Sequence, residues 1–443
     1  MKLFFFSIIF VFLQHCSFDN KSGIWKNENS VTEIENEDGV FQDFKTISST
    51  KETFNEIIPI KKNFKITLSP AISNYNWNDI FFNKTNNTKN FKYNGSNKLI
   101  FKSKKLSKYN LSNFVLFEAN NLITYDEKGN IIIFSINENK IVSKFNFYKK
   151  RYKKIKKILN LIIEDNVIYI SDNIGYLYAY NYNTNKILWA KNYKIPFRSN
   201  LKLSKNKLIA SNQNNNLYFF SKKNGNMLNL IPTEETIVKN QFVNNLSLGK
   251  ESLFFLNTYG SLYSIDIETM RINWFINLNQ SLDINPNSLF TGNQIVLNKN
   301  KVIISSNQET YIIDQITGTI NFKKKFSATV KPVISNNYLF LITKNNLLVS
   351  IDLVNGNIVY SYDINEKISK FLNTKKYKVN FKNIMLINNN IFIFLKNSYI
   401  LKLNIDGELK KVFKLPSKIS SQPILIDDSI LFINQKKKLF IVN

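Results

Sequence analysis

A unit that predicts four short strands recurs along most of this chain, and it constrains the fold more than any other feature. The clearest copies contain GYLYAYNYNTNKILW, residues 175–189, and GSLYSIDIETMRINW, residues 260–274. They match in length and in the places of Gly, Thr and Trp. Weaker copies run from residue 112 to 415 at intervals of about 45 residues, which identifies a repeat architecture.

The apolar segments between the turns are short and rich in Phe, Tyr and Ile, as in KLIAS, LFFLN and KVIISS. They predict β-strands, and no amphipathic helix of about 12 residues interrupts them. A repeat of this length fits one four-stranded blade of a β-propeller, in which neighbouring blades bury each other's faces. We therefore expect the terminal aromatics Trp189, Trp274, Phe322 and Tyr360 to lie between blades.

The second turn of each unit carries residues that tolerate a left-handed backbone. Seven units are visible, and the tail after residue 415 supplies only two further strands. The missing strand must come from upstream, either from NFKITLS or from KLIFKSKK. We predict an all-β, eight-bladed propeller whose last blade is closed by an N-terminal strand, with seven blades as the alternative. The turn residues expected at positive φ are Asn185, Gly225, Gly318, Gly356 and Gly407.

The first residues have the composition of an export signal. MKLFFFSIIFVFLQHC contains one Lys and an apolar run too short to span a bilayer, and it ends at Cys16. Leu13 precedes Cys16 by three residues, which resembles the lipobox of bacterial lipoproteins and predicts lipidation of Cys16. Residues 1–15 are therefore predicted to be a lipoprotein signal peptide. Because His15 stands where the motif has a small residue, a cleaved secretory signal is the alternative.

The cysteine and histidine content excludes several kinds of chemistry. Cys16 and His15 are the only residues of their types. A single Cys cannot form an intrachain disulfide. Cleavage before Cys16 would also leave a mature chain without His or a free thiol, in which a His-bearing metal site and a Ser-His-Asp or Cys-His nucleophile cannot form. Residues 16–62 are polar and lack apolar periodicity, so we predict a flexible tether there and a propeller domain at 63–443.

The formal net charge is +28, but only Arg151, Arg198 and Arg271 are arginines. Recognition of nucleic acid bases relies on Arg, so a lysine-rich solvated surface explains this charge better than a nucleic acid partner does. The densest basic run is KKRYKKIKK, residues 149–157. A solvated loop is favoured there over an anion-binding segment.

The unit resembles the pyrroloquinoline-quinone (PQQ) type of propeller repeat, A-x-D-x-x-T-G-K-x-x-W. Two families share this repeat. Quinoprotein dehydrogenases hold the quinone and a Ca²⁺ ion over the propeller axis. BamB-type lipoproteins of the outer-membrane β-barrel assembly machinery have eight blades, begin with a lipobox Cys and are not enzymes. The residues that carry the resemblance are Ala179, Thr184, Lys186, Trp189, Asp266, Thr269, Trp274, Asp314, Thr317 and Gly318.

The lipobox, the chain length, the single Cys and the lack of a carboxylate cluster for Ca²⁺ favour the BamB-type family. NYNWNDIFFN, residues 74–83, also resembles the stretch before the propeller in such proteins. The resemblance implies a non-catalytic scaffold without a cofactor, anchored by lipid at Cys16 to the outer membrane and facing the periplasm. It also implies binding to the periplasmic domains of the membrane-embedded assembly subunit and help in delivering unfolded outer-membrane proteins.

In that family, an interblade loop with apolar residues beside an Arg docks the partner. The matching segment is YKIPFRSNLKL, so Ile195, Phe197 and Arg198 are the candidate partner-binding residues. The family's acidic residues in the next interblade loop have no match here, and Glu234 and Glu235 lie earlier. A PQQ-dependent dehydrogenase and a generic propeller that binds envelope proteins or glycans are the alternative functions.

Overall fold

The computed structural model describes residues 54–148, 150–235, 243–279, 290, 292–306, 308–373 and 379–443, with the backbone of two short strands before them. The chain divides into two units, residues 1–52 and 53–443. In the first unit, β1 (Cys16–Phe18) and β2 (Trp25–Asn27) pair antiparallel. The predicted signal peptide, including His15, lies outside the described residues. The predicted domain boundaries stay predictions.

The described strands of the second unit form eight blades, which confirms the predicted propeller and its blade count. Within each antiparallel sheet of blades 1 to 4, the strands follow chain order from the channel to the rim. These strands are β5 (Leu116–Glu118), β6 (Asn121–Tyr125), β7 (Asn130–Ser135), β8 (Lys140–Asn146), β9 (Leu159–Glu164), β10 (Val167–Asp172), β11 (Tyr176–Asn181), β12 (Lys186–Asn192), β13 (Lys202–Ser204), β14 (Lys207–Ser211), β15 (Leu217–Ser221), β16 (Met227–Ile231), β17 (Asn245–Leu248), β18 (Ser252–Leu256), β19 (Ser261–Asp266) and β20 (Ile272–Asn277).

Blades 5 to 7 repeat this order, and blade 7 gains an inner fifth strand, β3 (Asn90–Phe91), which is parallel to its neighbour. The remaining strands are β21 (Val296–Asn298), β22 (Lys301–Ser305), β23 (Thr310–Asp314), β24 (Ile320–Lys324), β25 (Val333–Ser335), β26 (Tyr338–Ile342), β27 (Leu347–Asp352), β28 (Ile358–Asp363), β29 (Phe381–Ile387), β30 (Asn390–Leu395), β31 (Tyr399–Leu403), β32 (Leu409–Lys414), β33 (Ile424–Ile426), β34 (Ser429–Ile433) and β35 (Lys438–Val442).

Blade 8 is closed by a strand from upstream, as predicted. Its outer strand is β4 (Leu99–Lys105), which pairs antiparallel with β35. Of the two upstream candidates, KLIFKSKK therefore closes the ring. NFKITLS forms no strand, and its Ile66 and Leu68 pack against the apolar core of blades 6 and 7.

The predicted turns and interblade aromatics also agree with the structure. Asn185, Gly225, Gly318, Gly356 and Gly407 all have positive φ. The outer-strand aromatic of one blade packs against the second turn of the next blade. A Cβ on Gly225 would lie 2.4 Å from the Trp189 ring, and one on Gly356 would lie 2.4 Å from the Phe322 ring. These contacts join the blades at the rim.

Among the described residues, two short helices lie outside the sheets. A 3₁₀ turn spans Lys150–Tyr152, and helix α1 spans Ile364–Phe371. Helix α1 begins after Asp363, whose carboxylate accepts hydrogen bonds from the amides of Asn365 and Glu366, as an N-cap does. At eight residues it falls below the length that sequence periodicity detects. None of the described helices is both long enough and apolar enough to cross a bilayer.

Candidate partner-binding site

Residues 74–91, which we call the strap, run around the inside of the channel and contact the blades in ring order. At blade 8, the Asn74 carbonyl accepts from the amide of Asp427 (2.8 Å). At blade 1, the amide of Trp77 donates to the Phe117 carbonyl at 2.7 Å, and the reverse bond is 2.9 Å. At blade 2, the Asn78 carbonyl accepts from an inner-strand amide at 2.9 Å. The first part of the strap thus contacts blades 8, 1 and 2 in turn.

The strap then continues past blades 3 to 7. It contacts them mainly through amide side chains and free backbone groups, which satisfy the polar groups of the inner strands. Trp77, Phe82 and Phe91 of the strap pack on one another, with ring centroids 4.8 to 6.0 Å apart. The blade contacts are Asp79 with Lys202 (blade 3), Lys84 with Leu248 (blade 4), Thr85 with Leu297 (blade 5), Asn87 with Ile334 (blade 6) and β3 with β29 (blade 7).

A buried cluster of charge joins the strap to blades 3 and 6. The Lys202 ammonium contacts the Asp79 carboxylate at 2.6 Å and donates to the Asn86 side-chain oxygen at 2.5 Å. The Lys331 ammonium donates to the Asn86 carbonyl at 2.7 Å. Burial lowers the pKa of Lys202, and the Asp79 carboxylate opposes that shift. Burial and the charge of Lys202 lower the pKa of Lys331 to about 7.

The strap determines whether a quinone and Ca²⁺ would fit at the axis. Trp77, Phe82, Asp79 and Asn86 of the chain itself occupy part of this region, and the polar side chains of Asp79 and Asn86 are engaged within the protein. Nowhere in the described ranges do three His, Cys, Asp or Glu side chains come close enough to hold a metal ion. The described residues therefore do not fit the cofactor arrangement that the dehydrogenase resemblance implies.

The predicted partner-binding residues lie in the loop from blade 2 to blade 3, between β12 and β13. Ile195 and Arg198 are partly exposed. Phe197 is only 2% exposed and packs against Tyr193 and Phe220, so its side chain anchors the loop and does not face a partner in this conformation. The backbone of Arg198 is held by Ser211 and Asn244 at 3.0 and 2.9 Å. The structure thus brings the three residues together on one anchored loop.

The acidic residues that precede the next blade are already engaged within the protein. The Glu234 carboxylate accepts hydrogen bonds from Asn257, Ser261 and Tyr263, each at 2.7 Å. Burial raises the pKa of Glu234, but these hydrogen bonds outweigh it and hold the pKa below its usual value. Glu235 accepts a hydrogen bond from Asn216 at 2.9 Å. Both residues brace the turns of blades 3 and 4. The segment 236–242 lies outside the described residues.

A cavity of about 410 Å³ adjoins the loop that holds Ile195, Phe197 and Arg198. The strap lines it through Ile80 and Phe81, and Asn200 belongs to the same loop as Arg198. Val243, on its wall, is exposed and lies next to Asn244, which donates to the Arg198 carbonyl. None of the described residues that line the cavity is charged. Sequence reasoning missed this cavity because the strap that lines it shows no strand or helix periodicity.

The basic run at residues 149–157 lies between blades 1 and 2, and its first residue lies outside the described ranges. Lys153, Lys154 and Lys156 are exposed, as expected for a solvated loop. Lys157 is buried instead, and its ammonium donates to the carbonyls of Tyr152 and Ile155. One lysine of the run therefore has an internal structural role that its sequence context did not indicate.

Comparison with solved structures supports the fold. BamB from Moraxella catarrhalis matches with a TM-score of 0.60 and 12% identity, covering 78% of this chain and 99% of that one. Quinohemoprotein alcohol dehydrogenase from Comamonas testosteroni matches with a TM-score of 0.60 and 9% identity, covering 84% and 81%. A europium-containing methanol dehydrogenase matches with a TM-score of 0.59 and 11% identity, covering 83% and 89%. At these identities the matches show the fold alone.

The solved structures include both BamB and dehydrogenases, whereas comparison with sequence models of families points to one of them. Among curated protein sequences, none matches this chain. Residues 127–362, more than half of the chain, match the sequence model of the family described as Outer membrane protein assembly factor BamB. This segment includes the predicted partner-binding loop and the second turns of blades 2 to 6. The chain belongs to the BamB family of PQQ-repeat propellers.

Proposed function

We propose that this protein is a non-catalytic scaffold of the outer-membrane β-barrel assembly machinery. In this role it binds the periplasmic domains of the membrane-embedded assembly subunit and assists the delivery of unfolded outer-membrane proteins. The observation that carries the non-catalytic part is the strap, which occupies part of the axial region with side chains whose polar groups are already engaged within the protein. We assign partner binding to the loops and the rim. Family membership supports the assembly role.

Docking of the assembly subunit is assigned to the loop that holds Ile195, Phe197 and Arg198. Phe197 fixes the loop from inside, which leaves Ile195 and the Arg198 guanidinium as the groups for contact. A planar guanidinium can donate to a carboxylate or to backbone carbonyls, and arginine is favoured at the centre of interfaces. A partner surface with an acidic or carbonyl-rich edge and a small apolar pocket would match this loop.

Replacement of Arg198 tests this assignment. Pull-down of the full chain from solubilised membranes should lose the assembly subunit in Arg198→Glu, because the substitution turns attraction into repulsion. Arg271→Glu is the matched control, since Arg271 is an exposed arginine next to the second turn of blade 4. The control should retain the subunit at the wild-type level. Equal recovery with Arg198→Glu and with wild type would defeat the docking assignment.

We also propose that lipid at Cys16 anchors the protein to the outer membrane and that the propeller faces the periplasm. The proposal rests on the lipobox-like sequence before Cys16. Labelling of cells with a palmitate analogue should mark the wild-type chain and not Cys16→Ser. If His15 prevents lipidation, the wild-type chain will carry no label, and a cleaved secretory signal will be the better description of residues 1–15.

A further inference from the structure

The outer strands of blades 3 and 4, β16 and β20, form an unusual part of the rim, which we call the apolar rim. Neither strand contains a charged residue, and each is the last strand of its sheet, so one edge is free of other described strands. Leu228, Leu230 and Phe275 are exposed on them, and Phe275 is 60% exposed. Exposed apolar edge strands are sites where further strands add.

The edges of blades 5, 6 and 7 are protected. The outer strands of blades 5 and 7, INFKK and LKKVFK, carry lysines, and none of their apolar residues, all of which the structure describes, is fully exposed. Lysines on an edge strand oppose the addition of another strand. The edge of blade 6 is covered by the chain itself. The amide of Ile58 donates to the Ser361 carbonyl at 3.0 Å, and the reverse bond is 2.9 Å.

The contact between Ile58 and Ser361 shows how an extended segment pairs with this type of edge. The pairing register shifts at the second residue of β16, β20 and β28, which leaves one residue opposite no partner. Ser361 is the second residue after that shift in β28, and Leu230 and Phe275 hold the same place in β16 and β20. The backbone position at which Ile58 docks on blade 6 therefore recurs on blades 3 and 4 with no described strand against it, and on blade 3 the Leu230 amide donates to the side-chain oxygen of Asn229 at 2.9 Å.

We propose that the apolar rim binds extended segments of non-native polypeptide by edge pairing, with Leu230 and Phe275 as the central contacts. The occupant that fits is a strand with alternating apolar and polar residues, the pattern of a transmembrane β-strand. Its backbone would pair with the free edge, and its apolar side chains would pack on Leu228, Leu230 and Phe275. This inference rests on the proposed function, for which it names the substrate class and the place of binding.

The experiment measures binding of a fluorescein-labelled peptide of about ten residues, alternating Val or Tyr with Ser or Thr, to the full chain by fluorescence anisotropy. The double variant Leu230→Lys/Phe275→Lys should weaken binding at least about tenfold, because lysines on an edge strand oppose pairing with another strand. The matched control is Ile316→Lys/Val354→Lys, which replaces two exposed apolar residues in the second turns of blades 5 and 6. The control should bind within about twofold of wild type. Circular dichroism checks that all variants fold.

A second peptide separates edge pairing from general apolar adhesion. It carries N-methyl groups on every other backbone nitrogen, which removes the donors of one edge, and it should bind at least about tenfold more weakly. Equal binding of both peptides, or unchanged binding by Leu230→Lys/Phe275→Lys, would overturn the proposal. So would self-association of the wild-type chain that disappears in this variant without any peptide binding, since a second copy would then be the occupant. Loss of peptide binding with retained pull-down of the assembly subunit separates this proposal from the docking role of Arg198.

Discussion

Trp189 and Gly225 belong to neighbouring blades, and their contact leaves no room for a side chain on the glycine. Gly225 has a φ of 71°, and an added Cβ would lie 2.4 Å from the indole ring. We predict that Gly225→Ala lowers the free energy of unfolding by about 2–4 kcal/mol, from backbone strain and overpacking together. Urea unfolding measures the loss. Gly249→Ala is the control, because its φ is not positive and its nearest contact is 3.3 Å away; an equal loss there would contradict this reason.

Lys331 gives the protein a dependence of stability on pH. Its pKa is lowered to about 7 in the fold, while an unfolded lysine has a value near 10.5. Between these values the unfolded chain binds the extra proton, so the free energy of unfolding rises with pH, by at most about 1.4 kcal/mol per pH unit. This stability is fully present above the unfolded pKa and is lost as the pH falls to about 7.

Urea unfolding from about pH 7 to about pH 9.5, below the range in which most tyrosines ionise, tests this dependence. Lys331→Met should show a flatter rise than wild type, because the titrating ammonium group is gone. Lys250→Met replaces a lysine whose side chain is 94% exposed and should keep the wild-type slope. Parallel curves for wild type and Lys331→Met would show that Lys331 keeps an ordinary pKa in the fold.

At the scale of the element, the strap depends on the ion pair between Asp79 and Lys202. Removal of one partner leaves a buried charge without compensation, so Asp79→Leu should cost about 3–5 kcal/mol of unfolding free energy. The double variant Asp79→Leu/Lys202→Met removes both charges and should recover part of that loss. Urea unfolding of the two single variants and the double variant measures the coupling. If the double variant is no more stable than Asp79→Leu, the uncompensated charge of Lys202 does not cause the loss of stability.

The sequence predicts the elements of the propeller well, because alternation, turn residues and the repeat are local signals. Positive φ at Gly225 and the interblade position of Trp189 follow from them. The strap, residues 74–91, gives no such signal, because its polar residues satisfy inner strands that are far away in sequence, as Asn86 does with Ile295. At the candidate site, the sequence places Arg198 in an interblade loop. It does not reveal that Phe197 is buried, since an apolar loop residue can either anchor or bind.

At the scale of the whole molecule, the segment before blade 1 supplies two parts that the repeats lack. It contributes the strap along the channel and β4, the outer strand that closes blade 8. A ring of repeats needs closure to protect its terminal faces, and inner strands need partners for their polar groups. The repeats alone therefore form an incomplete ring, and residues 74–105 complete it from the inside and at the seam.

Truncation from the N-terminus tests this dependence. A chain of residues 53–443 should unfold in one cooperative transition with the midpoint of the full chain, since it retains the whole second unit. A chain of residues 107–443 lacks the strap and β4, so we expect it to lose the cooperative transition and to aggregate through the open edge of β35. A peptide of residues 54–106, added in trans, should restore the transition in thermal unfolding followed by circular dichroism. If the 107–443 chain unfolds at the midpoint of the full chain without the peptide, the repeats close the ring by themselves and the strap only fills the channel.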